Sequence, residues 1–257
     1  MMKIVQLTDL HLHADREVRL KNVPTWATWD EVWADVRARH SDADLIVLTG
    51  DLAHDELPPT YLLLAESLGP QLSLVRPLPG NHDFRAGIRA AFPTAAPNDG
   101  CLAFAVELGD WQIIGLDTHV PGQVSGRVGR EQLEWFAAQL SGRPVGRSLV
   151  FQHHPPVAVG TPWVDKLGLE DAAEYRAVVA AHPQVAAVFC GHVHQVGRHA
   201  GAAAPVFTSP STAIQFLAGA AEFTMEPLAP GYRVVLASDA GFETVVERLN
   251  EVRFPPS

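Results

Sequence analysis

Five short stretches of this chain set oxygen and imidazole donors side by side: Asp9-Leu10-His11, Gly50-Asp51, Gly80-Asn81-His82-Asp83, His153-His154 and Gly191-His192-Val193-His194. Asp, Asn and His supply oxygen and nitrogen ligands but no thiolate, a set that suits Fe, Mn, Zn or Co better than a soft metal. So many groups exceed the needs of one four-coordinate zinc, and they suit two adjacent ions that share a carboxylate. Two-metal hydrolytic sites hold their ions about 3.5–4 Å apart, where they clamp a phosphate oxygen and activate a bridging water. Two divalent ions bring a charge of about +4 against about −3 from Asp9, Asp51 and a bridging hydroxide. The remaining charge of about +1 would attract a phosphodiester monoanion.

Each stretch follows an apolar run of strand length: Lys3–Leu7, Leu45–Thr49, Leu72–Leu78, Ser148–Gln152 and Val185–Cys190. In α/β sheets the carboxyl ends of the strands open into the binding crevice, so distant residues would converge there. Helices are predicted between these strands. Thr28-Trp29-Asp30-Glu31 has capping-box spacing and opens a helix to Arg39, with Trp29, Val32, Trp33 and Val36 on one stripe. Pro59–Leu68, Arg85–Phe92, Gly129–Leu140 and Asp171–Ala181 also read as helices. Leu102–Leu108 and Trp111–Leu116 flank Gly109-Asp110 as a hairpin, and Val206–Ser209, Phe223–Met225, Arg233–Ala237 and Thr244–Leu249 read as short strands. Early βα alternation followed by hairpins predicts an α/β fold of two mixed sheets with helices outside. With no repeat, linker or low-complexity block, a single domain over residues 1–257 is expected, its last part (about 205–257) adding strands and a substrate-side loop.

The net charge of −10 argues against a surface that grips nucleic acid or an anionic membrane by bulk electrostatics. No apolar run approaches the ~20 residues of a membrane span. Cys101 and Cys190 stand far apart and outside any CxxC pattern, so a reducing cytoplasm is the expected location.

Taken in order, Asp9-x-His11, Gly50-Asp51, Gly80-Asn81-His82-Asp83, His153 and Gly191-His192-x-His194 resemble the motif set of calcineurin-like metallophosphoesterases. Gln6-Leu7-Thr8-Asp9, Gly50-Asp51-Leu52-Ala53, Leu78-Pro79-Gly80-Asn81-His82-Asp83, Gln132-Leu133-Glu134-Trp135 and Pro210–Phe216 are similar to bacterial class III cyclic-nucleotide phosphodiesterases. The resemblance implies a four-layer α-β-β-α sandwich and two bound metal ions, Fe, Mn or Zn. It gives the first ion Asp9, His11, Asp51 and His194, and the second Asp51, Asn81, His153 and His192. His153 is preferred to His154 because the family ligand lies two residues before the loop proline, here Pro155. His82 would stabilise the transition state or protonate the leaving oxygen. The implied reaction is hydrolysis of 3′,5′-cyclic AMP to 5′-AMP, with glycerophosphodiesters or other small phosphoesters as the alternative, because the metal centre reads only phosphate. Relatives often dimerise, so a homodimer is expected. One departure stands out: many relatives carry a carboxylate three residues after the Gly-Asp aspartate, where this chain has His54.

Other residues have two readings each. Arg85 could contact the phosphate or form an ion pair. Gln215-Phe216 could offer a nucleobase an amide and an apolar face, or pack as a loop. Asp83 and His154 would orient neighbouring ligands. His13, His40, His119, His182 and His199 lack such context and read as surface or hydrogen-bonded histidines.

Overall fold

Alternation along the first strand already divides the molecule into layers. Met2 and Ile4 join one apolar cluster, whereas Val5 and Leu7 join another on the opposite face. The computed structural model describes residues 1–95, 100–201 and 203–257. In chain order its elements are β1 (Met2–Leu7), β2 (Arg19–Leu20), β3 (Val23–Pro24), α1 (Thr25–Arg39), β4 (Leu45–Thr49), α2 (Pro58–Leu68), β5 (Val75–Leu78) and α3 (Arg85–Ala91). There follow β6 (Phe104–Leu108), β7 (Trp111–Leu116), α4 (Arg130–Ser141), β8 (Arg147–Gln152), α5 (Ala172–Ala181) and β9 (Val185–Cys190). The chain ends with β10 (Gly197–His199), β11 (Val206–Thr208), β12 (Gln215–Phe216), β13 (Met225–Glu226), β14 (Gly231–Ser238) and β15 (Gly241–Arg248).

Two mixed sheets carry the fold. One has the order β15-β14-β1-β4-β5, the other β10-β11-β9-β8-β7-β6. Strands β1, β4 and β5 run parallel, as do β7, β8, β9 and β11, and antiparallel strands complete both sheets. Met2, Ile4, Leu45 and Val47 meet Ile113, Leu149, Phe151 and Phe189 between the sheets. The rings of Phe151, Phe189 and Phe207 stack there at 5.0 and 5.3 Å. Helices α1, α2 and α3 cover the outer face of the first sheet through Trp29, Val32, Tyr61, Leu64 and Ile88. Helices α4 and α5 cover the second through Phe136, Leu140, Tyr175 and Val179. The result is the expected α-β-β-α sandwich.

Several elements differ from the sequence reading. Helix α1 starts at Thr25, and Thr28 donates to the Thr25 carbonyl instead of capping, because Pro24 already sets the entry with φ −75°. The run Leu72–Leu78 is strand only from Val75; Gly69–Leu74 forms a 3-10 turn after the left-handed Gly69. Strand β6 begins at Phe104, since the Leu102 N–H is taken by the Asp117 carboxylate. The expected strand at Phe223 is β13, which pairs with β12. The β2–β3 ribbon and β10 are too short to show a sequence period.

Candidate metal centre

The donor residues sit where parallel strands stop, and the backbone there is bent in a characteristic way. Asp9, His11, Asp51, His192 and His194 all hold φ between 48° and 69°, a left-handed conformation that costs non-glycine residues about 1–2 kcal/mol each. Hydrogen bonds hold these turns together: Asp9 N–H donates to Gly50 O (3.0 Å) and His11 N–H to Asp51 O (2.8 Å). Gly80 is required by crowding, because a Cβ there would lie 2.2 Å from Asp51 Oδ1 and 2.7 Å from His153 Cε1. The two sheets thus meet at one point, the first bringing Asp9, His11, Asp51 and Asn81, the second His153, His192 and His194.

Ligand atoms of Asp9, His11, Asp51 and His194 lie within 4.8 Å of one another, and all four residues are buried. His11 Nε2 is 3.2 Å from His194 Nε2 and 3.6 Å from Asp51 Oδ2, and His194 Nε2 is 3.3 Å from Asp9 Oδ1. Beside them, His153 Nε2 lies 3.4 Å from Asp51 Oδ1 and 3.3 Å from Asn81 Oδ1, which in turn is 3.1 Å from His192 Nδ1. Asp51 therefore faces both groups.

Tautomers decide whether this set fits cations. His194 Nδ1–H donates to Ile214 O (2.8 Å) and His153 Nδ1–H to Thr49 O (2.8 Å), which leaves each Nε2 of the neutral ring as a bare lone pair. These lone pairs point at carboxylate and amide oxygens, and His192 Nε2 is buried with no partner among the described residues. Acceptors facing acceptors at 3.2–3.6 Å repel unless a cation lies among them. The residues present fit two metal ions.

Without metal, protons have to serve instead. Burial disfavours a charged His153, but Asp51 outweighs it and holds the imidazole up to about 9. Burial also works against the Asp51 carboxylate, and His153 and His11 keep it well below the usual carboxylate range. Burial drives His192 down to about 3 and His11 well below its ordinary value.

The surrounding residues sort clearly. His154 is buried against His192 (ring centroids 4.5 Å apart), but its Nδ1 accepts from Thr118 Oγ1 (2.7 Å) and its Nε2–H donates to Val124 O (2.9 Å). With both nitrogens occupied, it packs behind the donors. Asp83 orients no histidine, contrary to expectation. It accepts the N–H groups of Leu52, Ala53 and Gly80 and the Tyr61 hydroxyl, tying the Asp51 turn to the Asn81 turn. Burial, reinforced by Asp51, pushes its carboxyl up to about 8 against the pull of those N–H groups. Arg85 takes the ion-pair role: it grips Asp117 in a two-pronged contact (2.6 and 2.9 Å) and donates to His119 O (2.6 Å).

Gln215 and Phe216 are also corrected. Phe216 stacks on the His194 ring (4.0 Å, 9°), and Gln215 is buried with its amide donating to Ser211 O. Both are buried beside the β12–β13 pairing, and the cavity that Gln215 lines, about 10 Å³, is too small for a nucleobase. The sequence reading passed over Asp117, although it follows the end of β7 as the other donors follow theirs, and took His119 as a surface or hydrogen-bonded histidine. His119 Nδ1–H donates to Gly80 O (2.8 Å) and supports the Asn81 turn.

His54, the residue that departs from the family pattern, presents Nδ1 to His11 Nδ1 at 3.1 Å and stacks on His82 at 4.7 Å. Because His11 Nε2 faces the donor cluster, its Nδ1–H donates to His54. Burial, then His82 and His13, lower His54 to about 4, so it is a neutral acceptor at pH 7. Groups that orient a metal-binding imidazole are typically worth about 10–100-fold in affinity. Titration of Mn²⁺ is accordingly expected to show at least about tenfold weaker binding in His54→Ala, with His54→Asn recovering part of it.

Comparison with known proteins agrees with this geometry. The family model of the calcineurin-like phosphoesterases matches residues 2–196. The chain belongs to that family. This phosphoesterase is 35% identical over 256 residues to the 3′,5′-cyclic adenosine monophosphate phosphodiesterase CpdA of Escherichia coli K12, covering 99% of this chain and 92% of the relative. It is 32% identical to the protein of the same name from Pseudomonas aeruginosa, over 98% and 91% of the two chains. Among solved structures, a dimetal phosphatase from Danio rerio has a TM-score of 0.67 at 15% identity, covering 96% of this chain and 98% of that one. Purple acid phosphatase from yellow lupin has a TM-score of 0.70 at 12% identity, covering 99% and 52%. These two share the fold of the phosphoesterase. Among its described residues no helix is long and apolar enough to cross a membrane.

Proposed function

We propose that this phosphoesterase hydrolyses 3′,5′-cyclic AMP, and other cyclic nucleotides less readily, to the 5′-monophosphate. The observation that carries this reading is near-full-length similarity to CpdA combined with Asp9, His11, Asp51 and His194 gathered within 4.8 Å of one another beside Asn81, His153 and His192. Asp9, His11, Asp51 and His194 would hold one ion and Asp51, Asn81, His153 and His192 the other, with Fe, Mn or Zn as the metals. When bound, such a pair supplies Lewis-acid stabilisation of phosphoryl oxygens and a water acidic enough to serve as nucleophile.

The chain's own groups do the rest. Asn81 and His82 are the half-buried members of the site, so the phosphodiester reaches it from their side. The His82 N–H donates to Asp51 Oδ1 (2.9 Å), which fixes the histidine backbone to the carboxylate that faces both donor groups. The His82 ring would then protonate the departing 3′-oxygen. The net charge of −10 supports a small phosphodiester rather than a nucleic acid or membrane as substrate, and the free cysteines Cys101 and Cys190 support the cytoplasm as its place of action.

The test is an activity panel on metal-reconstituted protein with cyclic AMP, cyclic GMP and glycerophosphocholine. The highest kcat/KM is expected for cyclic AMP, and a preference for glycerophosphocholine would overturn the reading. Chelation should abolish turnover, and Mn²⁺ or Fe²⁺ should restore it.

Metal binding should also depend on pH in a defined direction. His153 is raised from 6.5 to about 9 in the metal-free protein, so below that value an ion must displace its proton. Apparent affinity is expected to rise by up to tenfold per pH unit between about 6.5 and 9 and then level off. Isothermal titration across that range reads it. The metal-free fold runs the opposite way: the His153–Asp51 pair stabilises it fully below about 6.5, and the contribution is lost as pH rises through about 9.

A further inference from the structure

With Gln215 and Phe216 covered, the base of a cyclic nucleotide needs another place, and the surface next to Asn81 and His82 offers one. A cleft of about 530 Å³ opens from these two residues and is bounded on its outer side by Phe84, Val124, Pro121 and Glu56. That volume falls in the usual range for small-molecule sites, about 300–1,000 Å³. Of the two arginines that line the cleft, Arg85 pairs with Asp117 and Arg89 donates to the Gly100 carbonyl. Beside Glu56 its rim carries two exposed apolar side chains, Phe84 at 45% and Val124 at 48%, in a protein whose other aromatic rings mostly lie in the core.

Both lips are anchored to the metal centre. The Phe84 N–H donates to Tyr61 Oη (2.7 Å), whose own hydroxyl contacts Asp83 (3.1 Å), the residue that ties the Asp51 and Asn81 turns together. The Val124 carbonyl accepts from His154 Nε2 (2.9 Å), and the His154 ring packs on His192. Two exposed apolar side chains are thus held in fixed register with the group that would take the phosphate. The exposed Phe84 ring offers a flat apolar face beside the phosphate position, and every nucleobase has an apolar face that stacks on such a ring.

We propose that Phe84 and Val124 form the base subsite of this enzyme, the nucleobase stacking on the Phe84 ring with Val124 closing over its other face. The inference rests on the cyclic-nucleotide reading above and names the residues that distinguish a nucleotide from a bare phosphodiester. Because the subsite touches the base and not the phosphate, its contribution falls on KM, and it disappears for a substrate without a base.

Steady-state kinetics of the metal-loaded wild type, Phe84→Ala, Phe84→Trp and Val124→Ala test this with two substrates, cyclic AMP and the abasic ribose 3′,5′-cyclic phosphate. Phe84→Ala is expected to raise KM for cyclic AMP about tenfold or more. Its kcat should stay within about twofold, and its kcat/KM on the abasic substrate should be unchanged. Phe84→Trp should retain the wild-type KM, and Val124→Ala should weaken cyclic AMP in the same selective way. Parallel losses on both substrates, or an unmoved KM for cyclic AMP, would overturn the subsite. Equilibrium dialysis with AMP and ribose 5-phosphate reads it without turnover: wild type should prefer AMP and Phe84→Ala should lose the preference. A wild type that binds AMP selectively yet leaves cyclic AMP intact would reject only the proposed reaction. One that binds AMP and ribose 5-phosphate equally would reject the subsite.

Discussion

Asp51→Asn is expected to lower kcat by a thousandfold or more, about 4 kcal/mol in activation free energy, while the fold persists. The side chain keeps its volume, and Oδ1 can still accept the His82 N–H (2.9 Å). What is lost is the one anion that faces both donor groups, at 3.6 Å from His11 Nε2 and 3.4 Å from His153 Nε2. An amide there has one oxygen to share where the carboxylate had two, and it no longer offsets the charge of a second cation. Elemental analysis after reconstitution should show the metal content falling from two per chain toward one. Two tightly held ions and near-normal turnover in the variant would contradict the role given to Asp51.

The second large effect is structural. Asp83→Ala should cost about 3–5 kcal/mol of stability, since it strands three buried N–H groups (those of Leu52, Ala53 and Gly80) together with the Tyr61 hydroxyl. For a chain of this size such a loss corresponds to roughly 10 °C in Tm. Activity should fall further than stability, because nothing then holds the Asp51 turn against the Asn81 turn. Asp83→Asn should be nearly as harmful: its NH₂ group would meet N–H donors where an acceptor is required. Thermal denaturation of the metal-loaded protein, read together with kcat at a temperature where the variant is folded, checks both parts.

Much of the site was legible from sequence because donors that terminate parallel strands have little choice of position. The strand-to-turn junctions at Asp9, Asp51, Asn81, His153 and His192 all appear as apolar runs that stop at a polar residue, and the fold joins them. The preference for His153 came from likeness to a family; in the fold His154 stands with His153 and His192 in one group of possible ligands, its nitrogens on Thr118 and Val124. Elsewhere local pattern misled. The Gln215-Phe216 pair suggested a base site, but cross-strand pairing with Met225 and Glu226 buries it, and pairing between distant segments leaves no local signature. Thr28 has a capping-box neighbour at the right spacing, yet Pro24 starts the helix three residues earlier. Asp83 looked like a partner for histidine, and only the tertiary approach of Leu52 and Ala53 reveals what it holds. Asp117 obeyed the strand-end rule and was missed because the run before it was read only as half of a hairpin, whereas His119, read as a surface or hydrogen-bonded histidine, is hydrogen-bonded to Gly80.

The centre draws Asp9, Asp51 and Asn81 from one sheet and His153, His192 and His194 from the other, so an ion seated there would rivet two layers otherwise held by side-chain packing and by cross-sheet hydrogen bonds such as Gln6 to Cys190 O and His153 to Thr49 O. Catalytic competence and mechanical integrity then draw on the same supply. Without the ions that edge keeps only the His153–Asp51 pair and its cross-sheet hydrogen bonds against the strain of the bent turns, so the metal-free protein should open there first and be cut there faster by proteases.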